Sequence, residues 1–264
     1  MTGLRRIAGA FVASRAEGRA ALMPYFTAGY PNPRASEEVF CAIADAGADL
    51  IEIGVPFSDP LADGPVIQRS TQVALENGMT VANCLALVGR LRERGASQPM
   101  LLMGYANPIL AYGPDRYVQH AAAVGADGLI VPDLPPEEAT ELETACRRAS
   151  LALTYLVAPT STPERLRCIA ERTSGFLYLV SLAGVTGARN SLPADLGDFV
   201  ARARQVAHTP LAVGFGVARS DQAAQVGVMA DGVIVGSALI QAVSEASDPV
   251  PAAHEFVRSL RLAL

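Results

Sequence analysis

Apolar side chains fall along this chain in short unbroken runs separated by longer, mixed stretches. The runs are Ala21–Phe26, Asp49–Gly54, Met100–Tyr105, Gly128–Pro132, Ala152–Ala158, Phe176–Ser181, Pro210–Phe215 and Gly232–Gly236. They are continuously apolar instead of alternating, the pattern of parallel strands covered on both faces. The stretches between them have helical periodicity and helix-start signals. Ser36-Glu-Glu precedes one apolar-periodic run, Pro135-Pro-Glu-Glu opens another, and Thr162-Pro-Glu-Arg pairs a candidate N-cap with proline at the first helical position.

Three segments echo one another: DAGADLIEIG, AVGADGLIVPD and VGVMADGVIVG. Each reads as the end of a helix, a turn and a strand, with Gly47, Gly125 and Gly227 suited to the left-handed position after a helix. Eight strand–helix units predict a single (β/α)8 TIM barrel spanning residues 1–264, with an extra amphipathic helix at the N-terminus. A doubly wound sheet is the structural alternative, with fewer strands and no closure. No linker or low-complexity stretch marks a domain boundary.

Composition narrows the chemistry. The 264 residues, half of them hydrophobic, suffice for one large core, and a net charge of −5 without a basic cluster argues against nucleic acid. The apolar runs are too short for a membrane span, and the opening residues read as a helix, not a signal peptide, so a cytoplasmic location is expected. Cys41, Cys84, Cys146 and Cys168 are widely spaced and read as buried free thiols. All 21 basic residues are arginine; there is no lysine, and hence no Schiff base to a carbonyl substrate. The three histidines, His120, His208 and His254, are far apart and away from strand ends, so no metal site is expected.

In a TIM barrel the site is built at the C-terminal ends of the strands. Those ends carry Glu52 and the loop with Asp59 and Asp63, then Tyr105-Ala-Asn107, Asp133, Gly184–Gly187, Gly214–Gly216 and Gly236-Ser237. The last three glycine-bearing junctions suit a phosphate held by backbone N–H groups, with a helix starting at Ser237. Tight turns alone would also use those glycines. Glu52 is a carboxylate inside an apolar strand, which asks for either a buried arginine or a catalytic role. Asp63 could cap the helix that follows Gly64-Pro65, and Asp133 the one that follows Pro135. Two carboxylates at the mouth of a phosphate site point to acid–base chemistry on a phosphorylated small molecule.

The motifs LIEIGVPFSDPLADGPVIQ, LMGYANPI, VPDLPPEE, LVAPTST, GFLYLVSLAGVTGAR and VGFGV…ADGVIVGSA resemble, in order and over nearly the whole chain, the alpha subunit family of tryptophan synthase. The resemblance implies cleavage of indole-3-glycerol phosphate to indole and glyceraldehyde 3-phosphate. It implies Glu52 as the catalytic glutamate, Asp63 as the aspartate at the indole ring and Tyr178 as the tyrosine beside that glutamate. Tyr25, Tyr105, Asp133, Thr186 and Phe215 would line the substrate site, and Gly187, Gly216, Gly236 and Ser237 would hold its phosphate. Pro56, Asp59, Pro60 and Asn107 would meet a beta subunit in an alpha2beta2 assembly. That partner, not this chain, would carry PLP, and no cofactor is expected here. In this scheme buried Glu52 is the proton donor, whereas Asp63, on a wetter loop, stays ionised. A stand-alone indole-releasing lyase, a non-catalytic activator of a beta subunit and a phosphosugar isomerase are the alternatives.

Overall fold

The structure is a computed structural model that describes residues 2–180, 192–214 and 216–264. Among these residues the strands are β1 (Ala21–Thr27), β2 (Ile51–Gly54), β3 (Met100–Met103), β4 (Gly128–Ile130), β5 (Ala152–Thr154), β6 (Leu156–Val157), β7 (Leu177–Val180), β8 (Leu211–Gly214) and β9 (Gly232–Val235). All pair in parallel, in the order β5-β4-β3-β2-β1-β9-β8-β7-β6. The fifth predicted strand is split at Tyr155: residues 152–154 pair with β4 and 156–157 with β7. Tyr155 itself stays in the ladder, accepting the Tyr178 N–H at 3.1 Å. One strand thus changes partners across a single residue and closes the predicted eight-unit barrel.

The helices form the outer ring. α1 (Gly3–Ala16) precedes the barrel; α2 (Pro33–Asp45) follows β1; α3 (Pro65–Glu76) and α4 (Val81–Glu93) follow β2. Next come α5 (Ala106–Tyr112), α6 (Pro114–Ala123), α7 (Thr140–Ala149), α8 (Pro163–Arg172), α9 (Leu196–Arg204), α10 (Ser220–Met229), α11 (Ser237–Glu245) and α12 (Pro249–Arg261). Thr162 caps α8, accepting the Arg165 N–H at 3.2 Å. The other two start signals are displaced. α2 is capped by Asn32 with Pro33 in its first turn, while Ser36 turns inward to accept the Gly29 N–H. Pro136–Glu138 makes a 3-10 turn, and α7 starts only at Thr140.

The barrel floor explains the sequence echo. Asp49, Asp127 and Asp231 hold the same place in the three echoing segments. Each accepts a backbone N–H from the adjacent strand, of Leu22, Met100 and Leu211 respectively, at 2.8 Å. Each also binds arginine: Arg19 on Asp49, Arg6 and Arg92 on Asp127, Arg15 and Arg204 on Asp231. Arg6 and Arg15 lie in α1 and Arg19 just beyond it, so α1 is latched to two units of the barrel and the turn after it to a third. Between the latches Ile7 and Phe11 of α1 plug the floor, with Phe11 5.8 Å from the Phe176 ring.

Gly47 and Gly125 take the expected positive φ, 96° and 90°. Gly227 does not end a helix: α10 runs on to Met229. A Cβ at Gly227 would lie 2.7 Å from Leu264 Cδ2, so glycine leaves room for the Leu264 side chain against α10. All four cysteines are free, but only Cys84 and Cys146 are buried; Cys41 and Cys168 are partly exposed. No described helix is long and apolar enough to cross a membrane.

Replacing Asp127, whose side chain is fully buried, with alanine should strand Arg92 and release Arg6 and the Met100 N–H. The expected loss is about 3–5 kcal/mol of unfolding free energy, measured by urea denaturation.

Candidate active site

β1, β2 and β3 set the site by register. Tyr25 is level with Glu52, which is level with Leu101, so the three side chains share the barrel's inner face. Glu52 is completely buried. Neither of its oxygens has a hydrogen-bond partner among the described residues. An ionised carboxylate there would lose its hydration and gain nothing, so burial pushes the Glu52 pKa up to about 8. Among the described residues no arginine pairs with Glu52; the arginines that bind Asp127 lie at the floor.

Two tyrosines flank the carboxylate. Tyr25 and Tyr178 are buried, and their hydroxyls are held protonated well above the ordinary value, first by burial and then by the nearby carboxylates Asp63 and Glu52. Glycines make room for both rings. A Cβ at Gly54 would lie 2.2 Å from the Tyr25 hydroxyl, and one at Gly214 would lie 2.4 Å from that of Tyr178. The other edge of Tyr25 lies under Gly236, where a Cβ would be 3.1 Å from Cδ1. Tyr25 therefore spans the site from the start of α11 to the end of β2.

Asp63 does not sit in water as expected. It is 5% exposed, and burial raises its pKa to about 6 against the opposing hydrogen bond from Tyr105. The turn at Pro60 folds the loop inward, with the Asp63 N–H on the Pro60 carbonyl at 3.0 Å. The Tyr105 hydroxyl takes the place of solvent, donating to Oδ2 at 2.9 Å while accepting the Ala62 N–H at 3.1 Å. Phe57 packs on the Tyr105 ring, with centroids 5.5 Å apart. Asp63 does not cap α3, whose N-cap is Gly64. With a pKa near 6 it is still mostly ionised at pH 7, so two carboxylates that both act on Tyr25 and Tyr178 differ in charge.

At the opposite side of the mouth, Gly236 precedes α11 and no side chain caps that helix. The first helical bond runs from the Ile240 N–H to the Gly236 carbonyl, so the N–H groups of Ser237, Ala238 and Leu239 have no acceptor within the helix. Gly216 has φ 90°, a conformation that favours glycine. This end of the cavity offers backbone donors and a helix dipole to an anion.

The family model of the tryptophan synthase alpha chain matches residues 11–260. The chain belongs to that family. The alpha chain of Roseiflexus castenholzii is 50% identical over 98% of this chain and 100% of its own length. That of Deinococcus radiodurans is 45% identical over 98% of this chain and 96% of its own. Among solved structures, a chain of Mycobacterium tuberculosis tryptophan synthase superposes with a TM-score of 0.92 at 42% identity, covering 98% of this chain and 97% of that one. The alpha subunit from Legionella pneumophila str. Paris gives 0.91 at 39% identity, with the same coverage.

Among the residues singled out for this family, Glu52, Asp63, Tyr25 and Tyr178 are brought together, with Tyr105 bonded to Asp63. Thr186, Gly187 and Phe215 lie outside the described residues. Asp133 is exposed and does not cap the segment after Pro135. Its Oδ1 accepts the Ala106 N–H at 2.9 Å, at the start of α5. On the outer surface Asp59 and Asn107 are exposed and Pro60 partly so, whereas Pro56 is buried within the chain. Two exposed leucines escaped the sequence reading, Leu61 at 86% and Leu110 at 59%. Each lies within three residues of a predicted contact; for Leu61 the available signal was an apolar residue in a polar loop, whereas Leu110 sits in α5 and gave none.

Burial of Glu52 also has a thermodynamic signature. Its folded-state pKa is raised above the ordinary carboxyl value, so its burial carries no ionisation penalty at low pH and destabilises increasingly as pH rises toward about 8. Glu52→Gln removes that ionisation. The variant should be more stable than the parent, on the order of 3 kcal/mol at neutral pH, with the gap closing by pH 4 in denaturant titrations.

Proposed function

We propose that this chain cleaves indole-3-glycerol phosphate to indole and glyceraldehyde 3-phosphate. The observation that carries the reading is Glu52, buried with both oxygens unpartnered among the described residues, beside the same two tyrosines, Tyr25 and Tyr178, that feel a largely ionised Asp63. Phosphate would bind at Gly216, Gly236 and Ser237, with Gly187 as a further contact. The indole ring would lie against Tyr25 and Tyr105, near Asp63, with Thr186, Phe215 and Asp133 completing the substrate site.

The bond to be broken joins indole C3 to the glycerol chain. Its electrons cannot leave onto an intact indole ring, so C3 must first gain a proton. Glu52, neutral below about pH 8, donates it, giving an indolenine cation. Asp63 accepts the ring N–H and stabilises the positive charge. The hydroxyl on the carbon next to the ring then gives its proton back to Glu52. A carbonyl forms there, the carbon–carbon bond breaks, and its electron pair restores the indole. Glu52 ends as it began. Tyr178 and Tyr25 keep water from the carboxyl and so keep it protonated.

The alpha family name also suggests a beta partner, in an alpha2beta2 assembly that passes indole on to L-tryptophan synthesis. Asp59, Pro60, Leu61, Asn107 and Leu110 form the surface we assign to it, around the mouth that would release indole. PLP would belong to that partner. This lysine-free chain has no amine side chain with which to form the usual linkage, and it fits a role without a cofactor of its own. The whole chain acts as one barrel domain, and free cysteines suit a reducing cytoplasm.

Incubating the chain with indole-3-glycerol phosphate should yield indole, faster when a beta subunit is added; no indole under either condition disproves the assignment. Glu52→Gln should lower kcat by roughly 10²–10⁴-fold with the fold kept. The kcat/KM profile should be bell-shaped. Rate falls on the acid side near pH 6 as Asp63 protonates, and on the alkaline side near pH 8 as Glu52 ionises.

A further inference from the structure

The polar groups of Asp63 are tied down with one exception. Its N–H is on the Pro60 carbonyl at 3.0 Å, and its carbonyl accepts Nε2 of Gln68 at 2.8 Å. Its Oδ2 accepts the Tyr105 hydroxyl at 2.9 Å. No described residue bonds Oδ1, and Asp63 lines a narrow recess with Tyr25, Phe57, Thr71, Met103 and Tyr105.

Gln68 reaches back from the first turns of α3, and that helix is itself anchored. The buried hydroxyls of Thr27 on β1 and Ser70 on α3 lie 2.7 Å apart. Ser70 gives its hydrogen to the Ile67 carbonyl at 2.8 Å, so Thr27 donates to Ser70. The Gln68 amide thus transfers the fixed position of α3 to the Asp63–Gly64 peptide. Gln68 is exposed, so the amide contributes little to packing. Tyr105 fixes the other end of the same residue from β3.

We infer that Gln68 and Tyr105 are positioning residues that lock Asp63 from its backbone and from one carboxylate oxygen, leaving Oδ1 aimed at the ring N–H of the substrate. The inference rests on the lyase reading above. The two residues act differently. Gln68 holds only the backbone, so its loss lets the carboxylate wander without changing its charge. Tyr105 donates to the ionised carboxylate, so its loss also favours protonation of Asp63. Among the described residues, the titratable groups acting on this site are Tyr25 from β1, Tyr105 after β3 and Tyr178 from β7, all neutral through the working range, Glu52 from β2, neutral below about pH 8, and Asp133, which acts on Tyr105. On Asp63's own loop, Asp59 points into solvent.

The test is steady-state cleavage of indole-3-glycerol phosphate across pH by the full chain, with melting curves for each variant. Gln68→Met has the same length and no donor. It should lower kcat about 10-fold, with KM within about twofold and the acid limb unmoved, because misplacement by a fraction of an ångström acts on the transition state. Gln68→Arg, which restores a donor, should recover most of the loss. Tyr105→Phe should move the acid limb upward by roughly one pH unit. Parental kcat in Gln68→Met, or an unmoved acid limb in Tyr105→Phe, overturns the inference while the lyase reading stands. An unaltered chain with no turnover overturns both.

Discussion

A carboxyl group that water cannot reach and no described cation neutralises is the constraint around which the upper half of this barrel is arranged. Glu52 is fully buried with both oxygens unpartnered among the described residues. Such a group survives in a folded protein only as the neutral acid, and only if its surroundings stay dry. Tyr25 and Tyr178 supply that dryness. Their rings fit because Gly54 and Gly214 have no side chain to put where the hydroxyls lie. The glycines at these strand ends are therefore consequences of the acid, one step removed.

The lower half solves the opposite problem. Asp49, Asp127 and Asp231 are as removed from solvent as a structural carboxylate usually becomes, yet each has a strand N–H and at least one guanidinium. Arginine suits this role because its planar fork can satisfy a carboxylate and nearby carbonyls together, as Arg92 does with Asp127, Ala96 and Gln98. One barrel thus holds paired carboxylates at the N-terminal ends of its strands and an unpaired one near their C-terminal ends. The stability of the first face allows the second to keep a group that costs stability.

The strands were legible because burial on both faces leaves an unbroken apolar run, a signal that survives without tertiary information. Glu52 was legible for the same reason, as the exception within such a run. What sequence could not show was environment. Asp63 reads as a loop residue, and loops are usually wet; whether a tyrosine forty-two positions away would roof it over depends on barrel geometry. The echoed aspartates were visible as a repeat, but their meaning lay in arginines from α1, the turn after it, α4 and α9. Gly227 misled because a glycine before a strand looks alike whether it ends a helix or admits a neighbour, here Leu264. The split at Tyr155 was hidden inside one apolar run because a change of partner leaves the hydrophobic pattern intact.

The two site carboxylates also show why local context outweighs distance from the surface. Both are raised by burial, yet Glu52 lies near 8 and Asp63 near 6. Part of the difference comes from one phenol: Tyr105 donates to Asp63, and no described residue donates to Glu52. At neutral pH that separation leaves one group mostly protonated and the other mostly ionised, which is what a proton donor paired with an electrostatic stabiliser requires. Had the loop been open to water, Asp63 would be ionised more completely but its charge would be screened and its position loose. A roof that raises the pKa only part-way keeps the charge while removing the solvent, and that compromise fits a site that must stabilise a cation formed for an instant.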